Sequence, residues 1–471
     1  MKNGRIFAAL LAAAILFSAL TIGMPASAAG AAMTDGQWAQ YWQTVKDDNT
    51  LVALTPGSDI SRMNFSWHSG FFSSLPCVRI SQSPDMNGAM SFYGRAEYAE
   101  VFGQRVNKVT VSGLKENTLY YYSCRGEDGF SQAVPFRTRA SGRFKLLFVS
   151  DIQCSSSDTD DSVREANARS WHNTLAGALG ANGDIAFVIA AGDNTNAGKT
   201  VEWIATLSPP ELRSLPMATV VGNHDMKTAV YSRYVNNPNT FWGKTPNYVG
   251  NGYWFTYGDV LFICYNAAKY NMADQYALTR AAVEANPQAK WRVAVMHHDI
   301  YGTGGHADVN ANSEVHFMQC AYGALFEDFA VDFVLAGHDH IYGRSYYMAG
   351  NRVVGNPGYE NGSVTDPQGV LYFTASAAAG RSRVPDEPYD YFWLGYSYPF
   401  TGVPIYSTIA FDGGECLIQS FISDTGEQVD SFRIQKTAFF EGWQSAGRTA
   451  YILEMISRIN LLAVILGNLP V

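Results

Sequence analysis

The chain has 471 residues, of which 47% are hydrophobic and 14% aromatic, and a formal net charge of -9 at pH 7. This length predicts two domains, and the composition is that of a folded protein and not of a disordered one. An acidic chain without a basic patch argues against a nucleic-acid scaffold, so local charges such as bound metals must attract any anionic substrate.

Residues 1–28 have the pattern of a secretory signal peptide. Lys2 and Arg5 precede the apolar run Ile6–Ile22, and residues 26–28 form a small-residue cleavage site. A membrane anchor is the less favoured alternative, because the apolar run is short and ends at that site. We therefore expect a secreted or cell-surface protein, in which disulfides can form.

Residues 33–139 alternate short strand-like runs with turn residues, which predicts an all-β sandwich. The run VSGLKENTLYYYSC resembles the tyrosine-corner strand of fibronectin type III domains, with Tyr120 as the corner residue. Cys77 and Cys124, both on predicted strands, are the best candidates for a disulfide. His68 is expected on the surface. Structural support or substrate positioning is the expected role of this domain.

Residues 142–436 alternate strand-like apolar runs with helical stretches, which predicts an α/β domain. Polar side chains of metal-binding type follow five of these runs: Asp151 after Phe144–Val149, Asp193 after Ile185–Ala191, Asn223 and His224 after Met217–Val221, His297 after Arg292–Met296, and His338 and His340 after Val331–Leu335. In open α/β sheets, sites form beyond the carboxyl ends of the strands. Carboxylates, imidazoles and an amide oxygen together suit two neighbouring cations, which can activate water and clamp an in-line phosphoryl transfer.

The motifs GDN, GNHD and GHDH, in this order, resemble those of the calcineurin-like metallophosphoesterase superfamily. With the N-terminal β domain, the chain is most similar to purple acid phosphatases and their bacterial relatives, up to about Lys436. The resemblance implies an αββα catalytic sandwich that binds two metal ions per chain, with Fe, Zn and Mn as the candidates. It also implies hydrolysis of phosphate esters by a metal-bound hydroxide, without a phosphoenzyme.

The resemblance assigns roles to individual residues. The implied metal ligands are Asp151 and His340 for the first ion, Asp193 as the bridge, and Asn223, His297 and His338 for the second ion. His224 would be a general acid or an electrostatic stabiliser at the leaving group, and Asp225 would orient it. His297 is the implied ligand of the adjacent histidine pair because VMHHDIY resembles the family's VMHSPxY, which aligns His297 and Tyr301. Tyr301 and His306 are candidate substrate residues because they follow His297 in a loop that faces substrate in relatives.

Two positions depart from the purple acid phosphatase pattern. Asn196 occupies the position of the Tyr that follows the bridging Asp, so the phenolate that favours ferric iron is absent and two divalent ions become plausible. Gln153 stands where many superfamily members have His and purple acid phosphatases have Gly. Both residues are candidates for metal binding or for lining the site.

The expected activity is that of a secreted phosphatase acting on small phosphate monoesters. Two alternatives stay open: a phosphodiesterase or nucleotidase that uses the same centre, and a non-catalytic surface protein on a degenerate phosphoesterase fold. Residues 437–471 carry apolar side chains at helical spacing, which predicts an amphipathic helical tail that packs on the body. A membrane-surface or partner contact is the alternative reading of that tail.

Overall fold

The computed structural model describes residues 32–99, 103–157, 160–268, 271–310, 312–379, 389–398 and 404–437. The predicted signal peptide lies outside these residues, and so does the predicted C-terminal tail from residue 438 onward. Within the described ranges, no helix has both the length and the apolar character needed to cross a membrane.

The N-terminal part of the chain forms an antiparallel β-sandwich of two four-stranded sheets. Its elements are α1 (Asp35–Val45), β1 (Ala53–Pro56), β2 (Met63–Gly70), β3 (Cys77–Ser81), β4 (Met90–Tyr93), β5 (Arg95–Tyr98), β6 (Gln104–Val111), β7 (Leu119–Cys124) and β8 (Val134–Arg137). The sheets have the orders β1-β2-β6-β5 and β4-β3-β7-β8. Apolar side chains such as Phe65, Trp67 and Tyr122 fill the space between them. The predicted N-terminal β domain is thus confirmed.

Tyr120 makes the hydrogen bond expected of a tyrosine corner. Its hydroxyl oxygen accepts from the backbone N–H of Lys115 at 3.0 Å, and its ring stacks on Phe136 at 5.6 Å between centroids. This bond fixes the turn that leads into β7. The finer assignment to fibronectin type III domains stays a prediction.

Two expectations for this domain are wrong. Cys77 and Cys124 are free thiols, because the register places Cys124 opposite Val78 and so turns the two sulfur atoms to opposite faces of the sheet. His68 is buried, with 4% of its surface exposed, and its ring packs 4.7 Å from that of Tyr234. The second domain covers it, which a pattern read along one domain does not reveal.

The C-terminal part contains the elements of an α/β domain. They are β9 (Arg143–Val149), α2 (Ser162–Ala181), β10 (Ile185–Ala190), α3 (Thr200–Leu207), β11 (Met217–Thr219), α4 (Tyr231–Tyr234), β12 (Tyr253–Tyr257), β13 (Val260–Cys264), α5 (Met272–Ala285), β14 (Trp291–Val295), α6 (Ser313–Asp328), β15 (Phe333–Ala336), β16 (Gly343–Ser345), β17 (Met348–Ala349), β18 (Arg352–Val353), β19 (Ser363–Thr365), β20 (Leu371–Thr374), β21 (Leu394–Ser397), β22 (Ile405–Asp412), β23 (Glu415–Ile422) and β24 (Gln428–Gln435). Strands β10, β13 and β15 are apolar along their whole length, as expected for strands covered on both faces.

Two seven-stranded sheets pack face to face, and helices cover their outer faces. The first sheet has the order β11-β10-β9-β22-β23-β24-β19, and the second β12-β13-β14-β15-β20-β16-β21. Aromatic side chains including Phe187, Phe262 and Phe411 fill the layer between the sheets. One helical layer packs on the first sheet through Trp171 and Trp203, and α5 and α6 cover the second. The predicted αββα architecture is confirmed.

Helix α1 packs on the α/β domain, although the sequence groups it with the sandwich. A capping box between Thr34 and Gln37 starts the helix. Trp38 stacks on the His172 ring at 5.1 Å, and Trp42 donates to the Asp161 carboxylate at 3.2 Å. This N-terminal helix therefore packs against α2 and extends the helical layer on the first sheet.

Candidate metal centre

The first pair of predicted ligands lies where β9 and β15 end. Asp151 Oδ1 is 3.2 Å from His340 Nε2, and the backbone N–H of His338 donates to Asp151 Oδ2 at 2.9 Å. Both Asp151 and His340 are buried. The backbone N–H of Asp151 also donates to Gly192 O at 3.1 Å, which ties this pair to the end of β10.

The second group converges from the neighbouring strand ends. One ligand atom from each of Asp193, His297 and His338 lies within 4.8 Å of the others. His297 Nε2 is 3.3 Å from Asp193 Oδ2 and 3.1 Å from Asn223 Oδ1. His297 Nδ1 lies 2.9 Å from Ala191 O, so this carbonyl holds the Nδ1 proton and leaves the Nε2 lone pair directed at the cluster.

These residues fit a bound cation. Two ligand atoms that each lie about 2.1 Å from one metal at a right angle are about 3 Å apart, close to the spacings found here. Burial opposes a charged His297, but the Asp193 and Asp151 carboxylates outweigh it and raise the pKa of this imidazole to about 10. A site that raises a buried imidazole pKa so far has a negative potential, which a divalent cation would neutralise.

The backbone at the centre adopts conformations that L residues rarely use. Positive φ angles occur at Asp151 (50°), Gln153 (46°), Asp193 (47°), His338 (74°) and His340 (61°). Each costs free energy that the surrounding structure must supply, and such residues concentrate at functional sites. Their clustering here agrees with a site built for ligand geometry and not for stability.

Gly192 allows the end of β10 to approach the His297 ring. Its φ is +91°, and a Cβ at this position would lie 2.7 Å from His297 Cβ and Nδ1. Both the backbone angle and the lack of space exclude a side chain.

His224 lies beside the second group, and its partners differ from the predicted ones. Its Nε2 is 3.9 Å from Asp193 Oδ2, and its Nδ1 is 2.7 Å from the backbone oxygen of Asn196. Asp225 instead accepts hydrogen bonds from the backbone N–H groups of Gly222, Asn194 and Thr195, at 3.0, 3.1 and 3.1 Å. The prediction that Asp225 orients His224 is therefore wrong. Asn196 does so through its carbonyl, and Asp225 joins the two loops that carry the ligands.

Burial and the neighbouring Asp193 carboxylate raise the pKa of Asp225 to about 6, against the hydrogen bonds that lower it.

Gln153, the second departure from the family pattern, lies within the centre. Its Nε2 donates to Asp193 Oδ2 at 3.2 Å, and its backbone N–H donates to Asp193 O at 2.8 Å. Metal binding by Gln153 or by the Asn196 side chain stays a prediction.

The two candidate substrate residues have different positions. The His306 ring stacks on that of His338 at 4.1 Å and is one-third exposed, so the structure brings it to the centre. Tyr301 is buried against Tyr372 and Trp393, and its hydroxyl donates to the Asn351 side chain. Its predicted contact with substrate is therefore wrong, because the side chain points into the core beneath α6.

The sequence analysis missed a pair of buried carboxyl groups behind the histidines. Asp339 accepts from Gly304 N at 2.6 Å and from His306 N at 2.9 Å, and its Oδ1 lies 3.1 Å from His306 Nδ1. Burial and the adjacent Asp339 raise the pKa of Asp299 well above its usual value. In the sequence, the position of Asp339 between the predicted ligands His338 and His340 could have indicated that its carboxyl group lies at the centre. This pair fixes the loop that carries His306.

His298 packs against two of the predicted ligands. Its ring is 4.7 Å from that of His338 and 5.5 Å from that of His297. Burial and the neighbouring His297 lower the pKa of His298 to about 3, so its imidazole is neutral at pH 7. It packs behind the predicted ligands as an uncharged ring.

Comparisons with known proteins agree with this geometry. The family profile described as Calcineurin-like phosphoesterase matches residues 144–342, and that of the Purple acid Phosphatase N-terminal domain matches residues 50–138. Two curated relatives from Mycobacterium tuberculosis, the uncharacterized proteins MT2654 and Rv2577, are each 24% identical over 329 residues. The alignment covers 62% of this chain and only 60% of the length of each relative.

Two solved structures have a similar fold. Purple acid phosphatase PPD1 from yellow lupin (Lupinus luteus) seeds matches with a TM-score of 0.66 and 15% identity, over 82% of this chain and 74% of that one. PhoD matches with a TM-score of 0.54 and 11% identity, over 87% of this chain and 98% of that one. At these identities the likeness establishes the fold alone.

Proposed function

Because the chain combines a calcineurin-like metallophosphoesterase domain with a purple acid phosphatase N-terminal domain, we propose that it is a secreted phosphatase that hydrolyses small phosphate monoesters with two divalent metal ions. The metallophosphoesterase fold supports phosphoesterase chemistry and divalent metal binding. The number of ions, the monoester substrate and export from the cell are parts of the proposal. Export is supported by the signal-like residues 1–28.

The observation that carries the proposal is the convergence of side chains from separate strand ends. The ligand atoms of Asp193, His297 and His338 share one small volume, and Asp151 and His340 form a second pair beside it. One ion would be held by Asp193, His297, His338 and Asn223. The other ion would be held by Asp151 and His340, with Asp193 as a shared ligand. When bound, the ions supply Lewis-acid activation of the phosphate and of water, and they neutralise developing charge.

The protein's own groups would position the reaction and move a proton. His224 is one-quarter exposed, and its Nε2 lies 3.9 Å from Asp193 Oδ2, beside the proposed ligands. Asn196 O lies 2.7 Å from Nδ1 and holds a proton there, and Lys227 Nζ, 3.0 Å from Nδ1, donates to the same carbonyl at 2.8 Å. With Nδ1 protonated, Nε2 carries a proton only in the imidazolium form, and from that form it would give this proton to the departing alcohol oxygen.

The test is metal analysis and p-nitrophenyl phosphate hydrolysis on two matched variants. We expect Asp193→Ala to lose at least one metal and nearly all activity, because it removes a carboxylate that would hold both ions. We expect His224→Ala to keep its metals and to lower kcat by about 10²–10⁴, the usual contribution of a general acid. Bis-p-nitrophenyl phosphate, assayed beside the monoester, distinguishes a phosphodiesterase.

Full activity of Asp193→Ala with both metals retained would refute the assignment. Loss of metal from His224→Ala to the same extent as from Asp193→Ala would remove the acid role of His224. A protein that binds metal but hydrolyses neither substrate would indicate a binding protein on a phosphoesterase fold.

A further inference from the structure

The amide group of Gln153 lies against the carboxylate that would be shared by both metal ions. The side chain is 3% exposed, and its Nε2 donates to Asp193 Oδ2 at 3.2 Å. The same carboxylate oxygen lies 3.3 Å from His297 Nε2, a predicted ligand atom of the second ion. Gln153 therefore approaches from its own loop the oxygen around which the predicted ligands gather.

The amide oxygen of Gln153 has no partner among the described residues. Gln153 Oε1 is buried and accepts no hydrogen bond from them. Such an acceptor is unfavourable in a protein interior unless a donor or a cation satisfies it. An unsatisfied carbonyl oxygen inside a cluster of metal-binding side chains is itself of metal-binding type.

This oxygen is close enough to share a cation with Asp193. The two terminal atoms of an amide are roughly 2.2 Å apart, so Oε1 lies at most about 5.4 Å from Asp193 Oδ2. Rotation about the last side-chain bond is soft and nearly two-fold, and a half-turn brings the oxygen to the position of Nε2, 3.2 Å from Asp193 Oδ2. Neighbouring ligand atoms on one metal ion are about 3 Å apart. Two oxygens at that spacing repel each other unless a cation lies between them, so a bound ion would favour this rotamer.

The backbone holds the side chains of Asp151 and Gln153 beside the Asp193 loop. Gln153 N donates to Asp193 O at 2.8 Å, and Asp151 N donates to Gly192 O at 3.1 Å. Both Asp151 and Gln153 have positive φ angles, of 50° and 46°. The hydrogen bonds between the two loops offset the cost of this conformation and fix the direction of both side chains, as a preorganised site requires.

The first ion is the one with fewer predicted ligands. The second ion would have three ligands besides the shared carboxylate, namely Asn223, His297 and His338. The first would have only Asp151 and His340 besides Asp193. Gln153 lies two residues after Asp151 on the same loop, so its oxygen would supply the missing third ligand.

We propose that Gln153 binds the first metal ion through its amide oxygen and so gives the two metal positions different preferences. This inference rests on the proposed two-metal phosphatase and adds a ligand to that same site. The first ion would have oxygen donors from Asp151, Asp193 and Gln153 and a single imidazole. The second would have two imidazoles. Carboxylate and carbonyl oxygens suit Mn²⁺, whereas imidazole suits Zn²⁺. The first position would therefore exchange Mn²⁺ for Zn²⁺ less readily than the second.

The experiment measures metal binding by the full chain, not hydrolysis. Metal-free wild-type protein and three variants are titrated with Mn²⁺ and with Zn²⁺ in a calorimeter, and elemental analysis counts the ions retained. Gln153→Met removes the oxygen and keeps the side-chain length, and we expect it to bind one of the two Mn²⁺ ions at least tenfold more weakly. A group that only supports a ligand can have an effect of similar size, so two further variants separate the roles.

Gln153→Glu keeps an oxygen but loses the N–H that donates to Asp193, and Gln153→His exchanges the oxygen for nitrogen. If Gln153 is a ligand, Gln153→Glu should retain both Mn²⁺ ions, and Gln153→His should raise the preference of one position for Zn²⁺ over Mn²⁺ by about tenfold. If the side chain only orients Asp193, Gln153→Glu should weaken binding as much as Gln153→Met does. Gln319→Met is the matched control, because Gln319 is also 4% exposed and donates to Ile300 O at 2.7 Å, and both affinities should stay unchanged.

Three results would each overturn the ligand role of Gln153. They are an unchanged Mn²⁺ affinity in Gln153→Met, equal weakening in Gln153→Met and Gln153→Glu, and a wild-type Zn²⁺ preference in Gln153→His. Failure of the proposed function has a different result. Wild-type protein that binds fewer than two ions would overturn the two-metal centre, and wild-type protein that binds two ions without hydrolysing p-nitrophenyl phosphate would overturn the phosphatase while leaving the ligand role of Gln153 intact.

Discussion

Gly192→Ala should damage the metal centre through one added methyl group. The new Cβ would lie 2.7 Å from His297 Cβ and Nδ1, roughly 1 Å closer than the separation at which such atoms attract. Metal–ligand distances tolerate changes of only about 0.2 Å, so a His297 ring that moves away by this amount leaves the coordination shell. The φ of +91° adds a separate backbone cost of about 1–2 kcal/mol, and the overlap adds about 1–3 kcal/mol.

Two glycines separate these costs. Gly113→Ala has a comparable φ of +77° but no atom within 4 Å of the new Cβ, so it measures the backbone cost alone. At Gly142 the new Cβ of Gly142→Ala would meet no atom and φ is not positive, so this variant is the control that carries neither cost. Urea unfolding should rank the three losses of stability as Gly192→Ala, then Gly113→Ala, then Gly142→Ala. Elemental analysis should find metal lost from Gly192→Ala only, and a full complement of metal in that variant would refute the geometry described for His297.

Two further predictions concern Asp225 and His68, whose surroundings in the structure differ from those expected from the sequence. Asp225→Ala should lower metal affinity by about 10–100-fold in a calorimetric titration, because its carboxylate joins the two ligand-bearing loops; a loss of kcat at unchanged metal affinity would restore its orienting role toward His224. Burial, with smaller effects from Arg233 and Lys108, lowers the pKa of His68 to about 4 in the folded protein. Because the unfolded chain takes up this proton near pH 6.5, the free energy of unfolding of the wild-type protein should fall by up to about 3 kcal/mol between pH 6.5 and pH 4. His68→Phe should remove this part of the pH dependence in urea titrations at pH 7 and pH 4, and equal slopes in both proteins would contradict the burial argument.

The strand ends could be predicted from the sequence because each ligand follows an apolar run directly. A buried strand that ends in Asp193 or His297 must deliver that side chain to the edge of its sheet, whatever the loops do. The predictions for Tyr301 and Asp225 were wrong because both residues lie in loops, where neighbouring side chains face different directions. Only the tertiary contacts of Tyr301 with Tyr372 show that it enters the core.

Errors in the N-terminal domain had a different physical cause. The cysteine prediction relied on proximity of the strands, but the register turns Cys77 and Cys124 to opposite faces. His68 and α1 were misplaced because both are covered by the other domain. Their burial depends on an interface formed by residues more than one hundred positions apart in the chain.

That interface gives the β-sandwich a part in the site although it contributes no predicted ligand. Lys108 Nζ donates to Ser232 O at 2.8 Å, and Asn64 Nδ2 donates to Asn236 O at 2.7 Å. Asn236 Nδ2 in turn donates to Val109 O at 3.3 Å. The segment so held, residues 232–236, follows the GNHD motif in the chain. Because helix α4 has only four residues and contains Ser232, these hydrogen bonds from the sandwich help to hold the segment that follows the predicted ligand Asn223 and His224.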